Sequence, residues 1–141
     1  MTAYLLDVNV LIALSWPDHT HHALVRRWFA KNRMRGWATC PLVQAGYVRI
    51  LSNPSFSSRF VPVQEAIDGL EVSLKDEVHQ FWPDAISFPT AVSLLRSSLK
   101  GHQQVTDAYL VALAINNRGK LATMDRTIAQ LAPTGTVEIV S

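Results

Sequence analysis

Cysteine is almost missing from this chain: Cys40 stands alone among 141 residues, so no internal disulfide can form. A reducing compartment suits such a sequence, and a cytoplasmic location is expected. Long apolar runs are also missing. None approaches the roughly 20 residues that span a bilayer, so no membrane role is expected. The first residues carry no basic segment, and Asp7 interrupts the one stretch that could serve as the apolar part of a secretory signal. Charge of one sign is scarce as well. With 13 Lys and Arg against 11 Asp and Glu the formal charge is only +2, which excludes a global field and leaves local patches to hold any polyanion. Repeats, low-complexity tracts and linkers are absent.

What is present is apolar and segmented. Hydrophobic residues make up 48% of the chain, enough for a core and too many for a disordered polymer. The length fits a single domain over residues 1–141. Ala3 to Leu6 reads as a strand apolar on both faces, as in the middle of a parallel sheet. Trp37-Ala38-Thr39, His79 to Trp82, Lys120 to Thr123 and Val137 to Ile139 read as four more short strands, the last on an edge. Between them, helices are predicted at Val10–Leu14, His19–Lys31 with Asp18 as cap, and from Pro41 to Leu51. Others are predicted over Val63–Leu74, Thr90–Leu99, Asp107–Asn117 with Gly119 ending it, and Thr127–Leu131. Ser52 to Pro62 is polar and reads as a loop. Alternating strands and helices specify an α/β fold, a three-layer α/β/α sandwich around a mostly parallel sheet of about five short strands.

Three aspartates stand at the ends of apolar elements. Asp7 closes the first strand, Asp107 opens the most apolar helix, and Asp125 follows the fourth strand. Open α/β sheets put their ligands at the carboxyl ends of strands. Carboxylates gathered there would repel one another unless a cation sat among them, and oxygen donors suit Mg²⁺ or Mn²⁺. Cys40 and the scattered histidines offer no zinc-type set. Each residue also has a plainer reading: Asp107 as a helix cap or first-turn acid, Asp125 as a turn former or surface ion pair. Asp7 resists one, because a carboxylate at the end of a buried strand needs partners.

The segments Leu6-Asp7-Val8-Asn9-Val10-Leu11, Val105-Thr106-Asp107-Ala108-Tyr109-Leu110 and Leu121-Ala122-Thr123-Met124-Asp125-Arg126, in this order and spacing, resemble the PIN-domain ribonucleases, most of all the VapC-type toxins of toxin–antitoxin pairs. The likeness covers essentially the whole chain. It implies a PIN-like fold, endonucleolytic hydrolysis of RNA (tRNA, rRNA or mRNA), a Mg²⁺ or Mn²⁺ cofactor, a homodimer, and a cognate VapB-type antitoxin. By position Asp7, Asp107 and Asp125 match the family's metal-binding acids, while Asn9 and Thr123 match polar positions beside them. One position departs from the pattern. Within Pro41-Leu42-Val43-Gln44-Ala45-Gly46, Gln44 stands where the family carries a catalytic glutamate. Glutamine keeps one carbonyl acceptor but has no charge and cannot act as a base. The alternative implied is a weakened PIN-like module that grips RNA or antitoxin.

Other residues carry two readings each. Arg26, Arg27, Lys31, Arg33 and Arg35, interleaved with Trp28, Phe29 and Trp37, fit either an RNA-contacting patch or an ordinary basic helix face. Arg49, one turn after Gln44, either faces the cleft or pairs with an acid. His19, His21 and His22 suggest a metal cluster, though solvated or capping roles are the commoner outcome near a helix start, and His102 is a loop histidine near Asp107. A phosphatase-like domain using Asp7 as acceptor would want a second acid two residues on, where Asn9 stands.

Overall fold

The computed structural model describes residues 2–56 and 59–141. Its centre is β1 (Tyr4–Leu6), buried along its whole length. Beside it lie β2 (Trp37–Thr39) and β4 (Lys120–Thr123), with β3 (His79–Phe81) and β5 (Val137–Ile139) at the edges. The order is β3-β2-β1-β4-β5 and every pairing is parallel, with Leu5 level with both Ala38 and Leu121. All five strands fall where apolar runs bounded by Gly, Pro and polar residues predict them.

The chain builds outward from β1 in both directions, first to β2 and β3, later to β4 and β5. The reversal falls between β1 and β4, and a crevice opens outside their carboxyl ends, as topological switch points of such sheets require. Asp7 follows β1 directly, and Asp125 lies two residues beyond β4.

Helices α1 (Val8–Ser15), α2 (His22–Asn32), α3 (Pro41–Leu51) and α4 (Val63–Leu74) form one packed group. A second group holds α5 (Phe88–Ala91), α6 (Val105–Asn116) and α7 (Arg126–Leu131), completing a three-layer α/β/α sandwich. Seven successive residues of α6, Ala108 to Ala114, are buried, so this helix is core on all sides rather than amphipathic. Among the described residues no helix is long and apolar enough to cross a membrane.

Three local expectations fail for identifiable reasons. The helix predicted over Thr90–Leu99 breaks into α5, turns and a single 3₁₀ turn at Arg96–Ser98. Pro89 fixes the start of α5, Leu94 is 79% exposed, and only Val92 and Leu95 there are buried, so too little apolar surface is covered to hold a longer helix. Asp18 does not cap α2. That helix begins at His22, with His21 in the cap position and no side-chain cap. Gly119 is not the left-handed residue ending α6; Arg118 is, at φ 57°. The glycine is needed for space instead, since a Cβ there would stand 2.6 Å from the Ala3 carbonyl oxygen and 2.6 Å from the Trp82 ring. The predicted 52–62 loop carries no helix or strand among its described residues, Ser57 and Ser58 lie outside those, and Val61 within the stretch is buried.

Candidate metal centre at the carboxyl end of the sheet

Asp7 ends β1 and caps α1. Its Oδ1 accepts from the Val10 backbone N–H at 2.9 Å, and its Oδ2 accepts from the Thr123 hydroxyl. One residue therefore has two duties: it satisfies the first turn of a buried helix and presents charge at the switch point. Only 7% of it is exposed. Burial pushes its pKa up to about 6, against the pull of the two hydrogen bonds, and the charges of Asp107 and Asp125 push the same way.

Thr123, the last residue of β4 and fully buried, links two of the acids. Its hydroxyl donates to Asp7 and accepts from the Asp125 backbone N–H at 3.1 Å. Asp125 is exposed and caps α7, its Oδ1 accepting from the backbone N–H and hydroxyl of Thr127 at 2.9 and 2.7 Å. The plain turn-forming reading of Asp125 thus holds, and it leaves Oδ2 without a hydrogen bond among the described residues. Asp107 is the third residue of α6, not its cap, an acid in the first turn where the helix dipole favours it. Half-buried, its carboxylate makes no hydrogen bond among the described residues. Burial and the Asp125 charge raise its pKa.

These mutual effects place the three acids within electrostatic reach of one another. Among the described residues, however, no three His, Cys, Asp or Glu side chains are gathered closely enough to hold an ion as they stand. Two of the three acids take up capping bonds, Asp7 on α1 and Asp125 on α7. The donor chemistry fits a hard cation. Every donor is a carboxylate oxygen, one is buried with its charge opposed by two others, and no Lys or Arg side chain neutralises them through an ion pair among the described residues.

A depression of about 400 Å³ opens over this region, lined by Asp7, Asn9, His19, His21, Met124 and Asp125. Asn9, exposed on the first turn of α1, faces it as expected from its position. Gln44 and Arg49 do not. They line a separate groove beside α4 with Pro41, Val48 and Ile67. Gln44 turns its amide to the fully buried Thr39, donating from Nε2 at 3.0 Å, and Thr39 Oγ1 also shares a 2.8 Å bond with His79 Nε2. A further groove of about 670 Å³ lies elsewhere, against α2 and α4, and contains none of the three acids.

The residues that reading along the chain underrated are His19 and His21. Their signal is the shortness of α1. At eight residues it is about 12 Å long, so the connection after it can fold back toward Asp7. His22 fastens that return through a 2.7 Å bond between its Nδ1 and the Ala13 carbonyl. The basic residues are divided: Arg33 pairs with Asp76, while Arg26, Arg27, Lys31 and Arg35 are exposed.

Acids at the switch point of an all-parallel three-layer sheet define a class of α/β proteins whose ligands meet the carboxyl ends of the strands. The family model for the PIN domain matches residues 4–132. Ribonuclease VapC39 of Mycobacterium tuberculosis is 44% identical over 140 residues, covering 99% of this chain and all of that protein. Ribonuclease VapC44 of the same organism is 42% identical over 131 residues, covering 93% and 92%. This chain therefore belongs to the PIN-domain family and, within it, to the VapC ribonucleases. Among solved structures, VapBC2 of Rickettsia felis bound to a promoter DNA fragment superposes with a TM-score of 0.65 at 16% identity, covering 99% of this chain and all of that one. FitAcB of Neisseria gonorrhoeae gives 0.58 at 19%, covering 92% and 94%. At these identities the structures speak to the fold alone.

Proposed function

We propose that this protein is a Mg²⁺- or Mn²⁺-dependent endoribonuclease, the toxin of a toxin–antitoxin pair, working as a homodimer and restrained by a VapB-type antitoxin. The observation that carries the chemistry is Asp7: buried at the switch point, opposed by Asp107 and Asp125, and supplied with no cationic partner among the described residues. Such a site is electrostatically incomplete, and a divalent cation completes it.

Asp7 is the anchoring ligand in this reading, because Val10 and Thr123 fix both of its oxygens while each keeps a lone pair. Asp125 offers Oδ2 from a capped and therefore ordered position, and Asp107 offers a carboxylate free to turn. When bound, the cation would supply charge neutralisation at the scissile phosphate and acidify the attacking water. Thr123 holds Asp7 and the start of the Asp125 turn in one register, so the ligand spacing follows β4 rather than a flexible loop.

The test is titration of Mn²⁺ and Mg²⁺ into the purified protein by calorimetry, with cleavage mapping on total RNA. Saturable binding and discrete, metal-dependent cuts are expected; neither metal binding nor cleavage would sink the reading. A second reading, a PIN domain that binds RNA or antitoxin with weakened turnover, draws on Gln44, whose neutral amide is engaged by Thr39. Metal binding and RNA binding without cleavage would select it.

A further inference from the structure

The depression over Asp7 poses a problem that its acids cannot solve. An RNA backbone must approach carboxylates that repel it, and among the described residues no Lys or Arg lines the walls. The side-chain hydrogen-bond donors there are the Asn9 amide and the two imidazoles. Of these, His19 is held in one defined state. Its Nδ1 accepts a 3.0 Å hydrogen bond from the His21 backbone N–H. A nitrogen that accepts carries no proton, so a neutral ring must carry its proton on Nε2. Burial first, then the neighbouring His21 and His22, lower the pKa of His19 and favour that neutral form. Nε2 has no partner among the described residues, and the bond from His22 to the Ala13 carbonyl ties the following turn to α1. The donor belongs to a residue that lines the depression and is unsatisfied among the described residues.

We propose that His19 is a substrate-binding residue of this site, its Nε2–H donating a hydrogen bond to a non-bridging phosphate oxygen of bound RNA. This inference rests on the endoribonuclease reading and specifies a contact within it. The same geometry argues against two other roles. A protonated Nε2 is no metal ligand, and a neutral imidazole is too weak an acid to protonate a leaving ribose oxygen. His21 contributes through its backbone N–H, which sets the tautomer.

The experiment compares the intact parent chain with His19→Ala, His19→Gln and His19→Phe. The probe is a fluorescein-labelled single-stranded RNA of mixed sequence. Steady-state cleavage is followed in Mn²⁺, RNA binding by anisotropy in EDTA, and Mn²⁺ binding by calorimetry. His19→Ala should raise KM and the RNA Kd about tenfold, the value of one hydrogen bond to an anionic oxygen. The effect on kcat should be smaller, and Mn²⁺ affinity should not change. His19→Gln, whose amide N–H reaches the same place, should stay close to the parent, whereas His19→Phe, a ring with no donor, should lose as much as the alanine variant and decides the matter if that variant loses its fold.

Unchanged KM and Kd in the variants that lack a donor at this position would overturn the proposal, as would a loss confined to kcat or to Mn²⁺ affinity. A parent that binds the RNA without cutting it would defeat the endoribonuclease reading while the Kd comparison still decides on His19. A parent that does neither would overturn both.

Discussion

Asp7 and Asp76 are both aspartates packed against the same sheet, and they meet opposite environments. Asp76, beyond α4, accepts from Arg33 Nε at 2.8 Å and from a second Arg33 guanidinium nitrogen. It also accepts from the Trp37 indole N–H at 2.9 Å and from the Val78 backbone N–H at 3.3 Å. The Arg33 bonds hold its pKa down at about 2. Asp7 has two neutral donors, more burial and two like charges nearby, and its pKa rises to about 6. The Asp76 charge is matched within the chain and stabilises the fold. At Asp7 the charge is left unmatched, so its ionised form costs free energy that a ligand of opposite charge can recover.

Neutralising Asp7 gives the sharpest separation of the two sites. Asp7→Asn keeps an acceptor for the Val10 N–H, turns an amide donor toward the Thr123 hydroxyl and removes the anchoring charge. Metal-dependent RNA cleavage should fall by about a thousandfold or more, as for residues acting as a catalytic unit. The melting temperature should stay level or rise, because a buried, opposed charge is gone. Cleavage at the parental rate would remove Asp7 from the centre of the site.

The pH dependence of stability should carry opposite signs at the two residues. Folded Asp7 holds its proton up to about pH 6, against 3.8 when unfolded. Between those values the folded chain binds more protons, so stability falls as pH rises, by roughly 3 kcal/mol across the window. For Asp76 the folded value near 2 lies below 3.8, so its contribution is complete above about pH 4 and is lost as pH falls further. Urea unfolding of the parent and of Asp7→Asn from pH 4 to 7 should therefore diverge toward higher pH, and Mn²⁺ should narrow the gap. Parallel curves would show that Asp7 is not strained.

Asp76→Ala is expected to act on stability alone. The Trp37 indole N–H loses its acceptor, a cost of about 1–2 kcal/mol, which for a chain of this size lowers the melting temperature by several degrees. Cleavage per folded molecule should stay near the parental value. A large loss of activity at unchanged stability would show that the two regions are coupled.

What could be read along the chain follows from what local pattern encodes. The five strands were legible because each is a short apolar or aromatic run closed by Gly, Pro or a charged residue. Asp7, Asp107 and Asp125 stand out along the chain because charge at the end of such a run conflicts with burial, and the fold brings them within electrostatic reach of one another. Residues whose neighbours are set by tertiary return were not legible. His19 reaches the Asp7 depression only because a short α1 lets the connection fold back, and periodicity along the chain does not contain that path. The Thr90–Leu99 segment has helical spacing at Val92, Leu95 and Leu99, yet nothing packs on Leu94 to sustain it. Gln44 lies on the helix that its neighbours predict, but the rotamer that takes its amide to Thr39 depends on a buried hydroxyl at the end of β2.

That rotamer sets up the smallest expected effect. Gln44→Glu restores the family's acid. As the chain stands, Gln44 Nε2 donates to Thr39 Oγ1, which also shares a bond with His79 Nε2. A glutamate can accept from the Thr39 hydroxyl, and that hydroxyl can in turn accept from His79, so the direction reverses with no bond lost. The new charge would then sit beside Thr39, in the groove with Arg49, and not in the depression over Asp7. Cleavage and Mn²⁺ affinity should change by less than about tenfold, the lower end of what supporting residues at metal sites contribute. A gain of a hundredfold or more would mean that the side chain swings into the crevice once charged. The site would then extend across β1 to α3, and the present chain would be a restrained version of it.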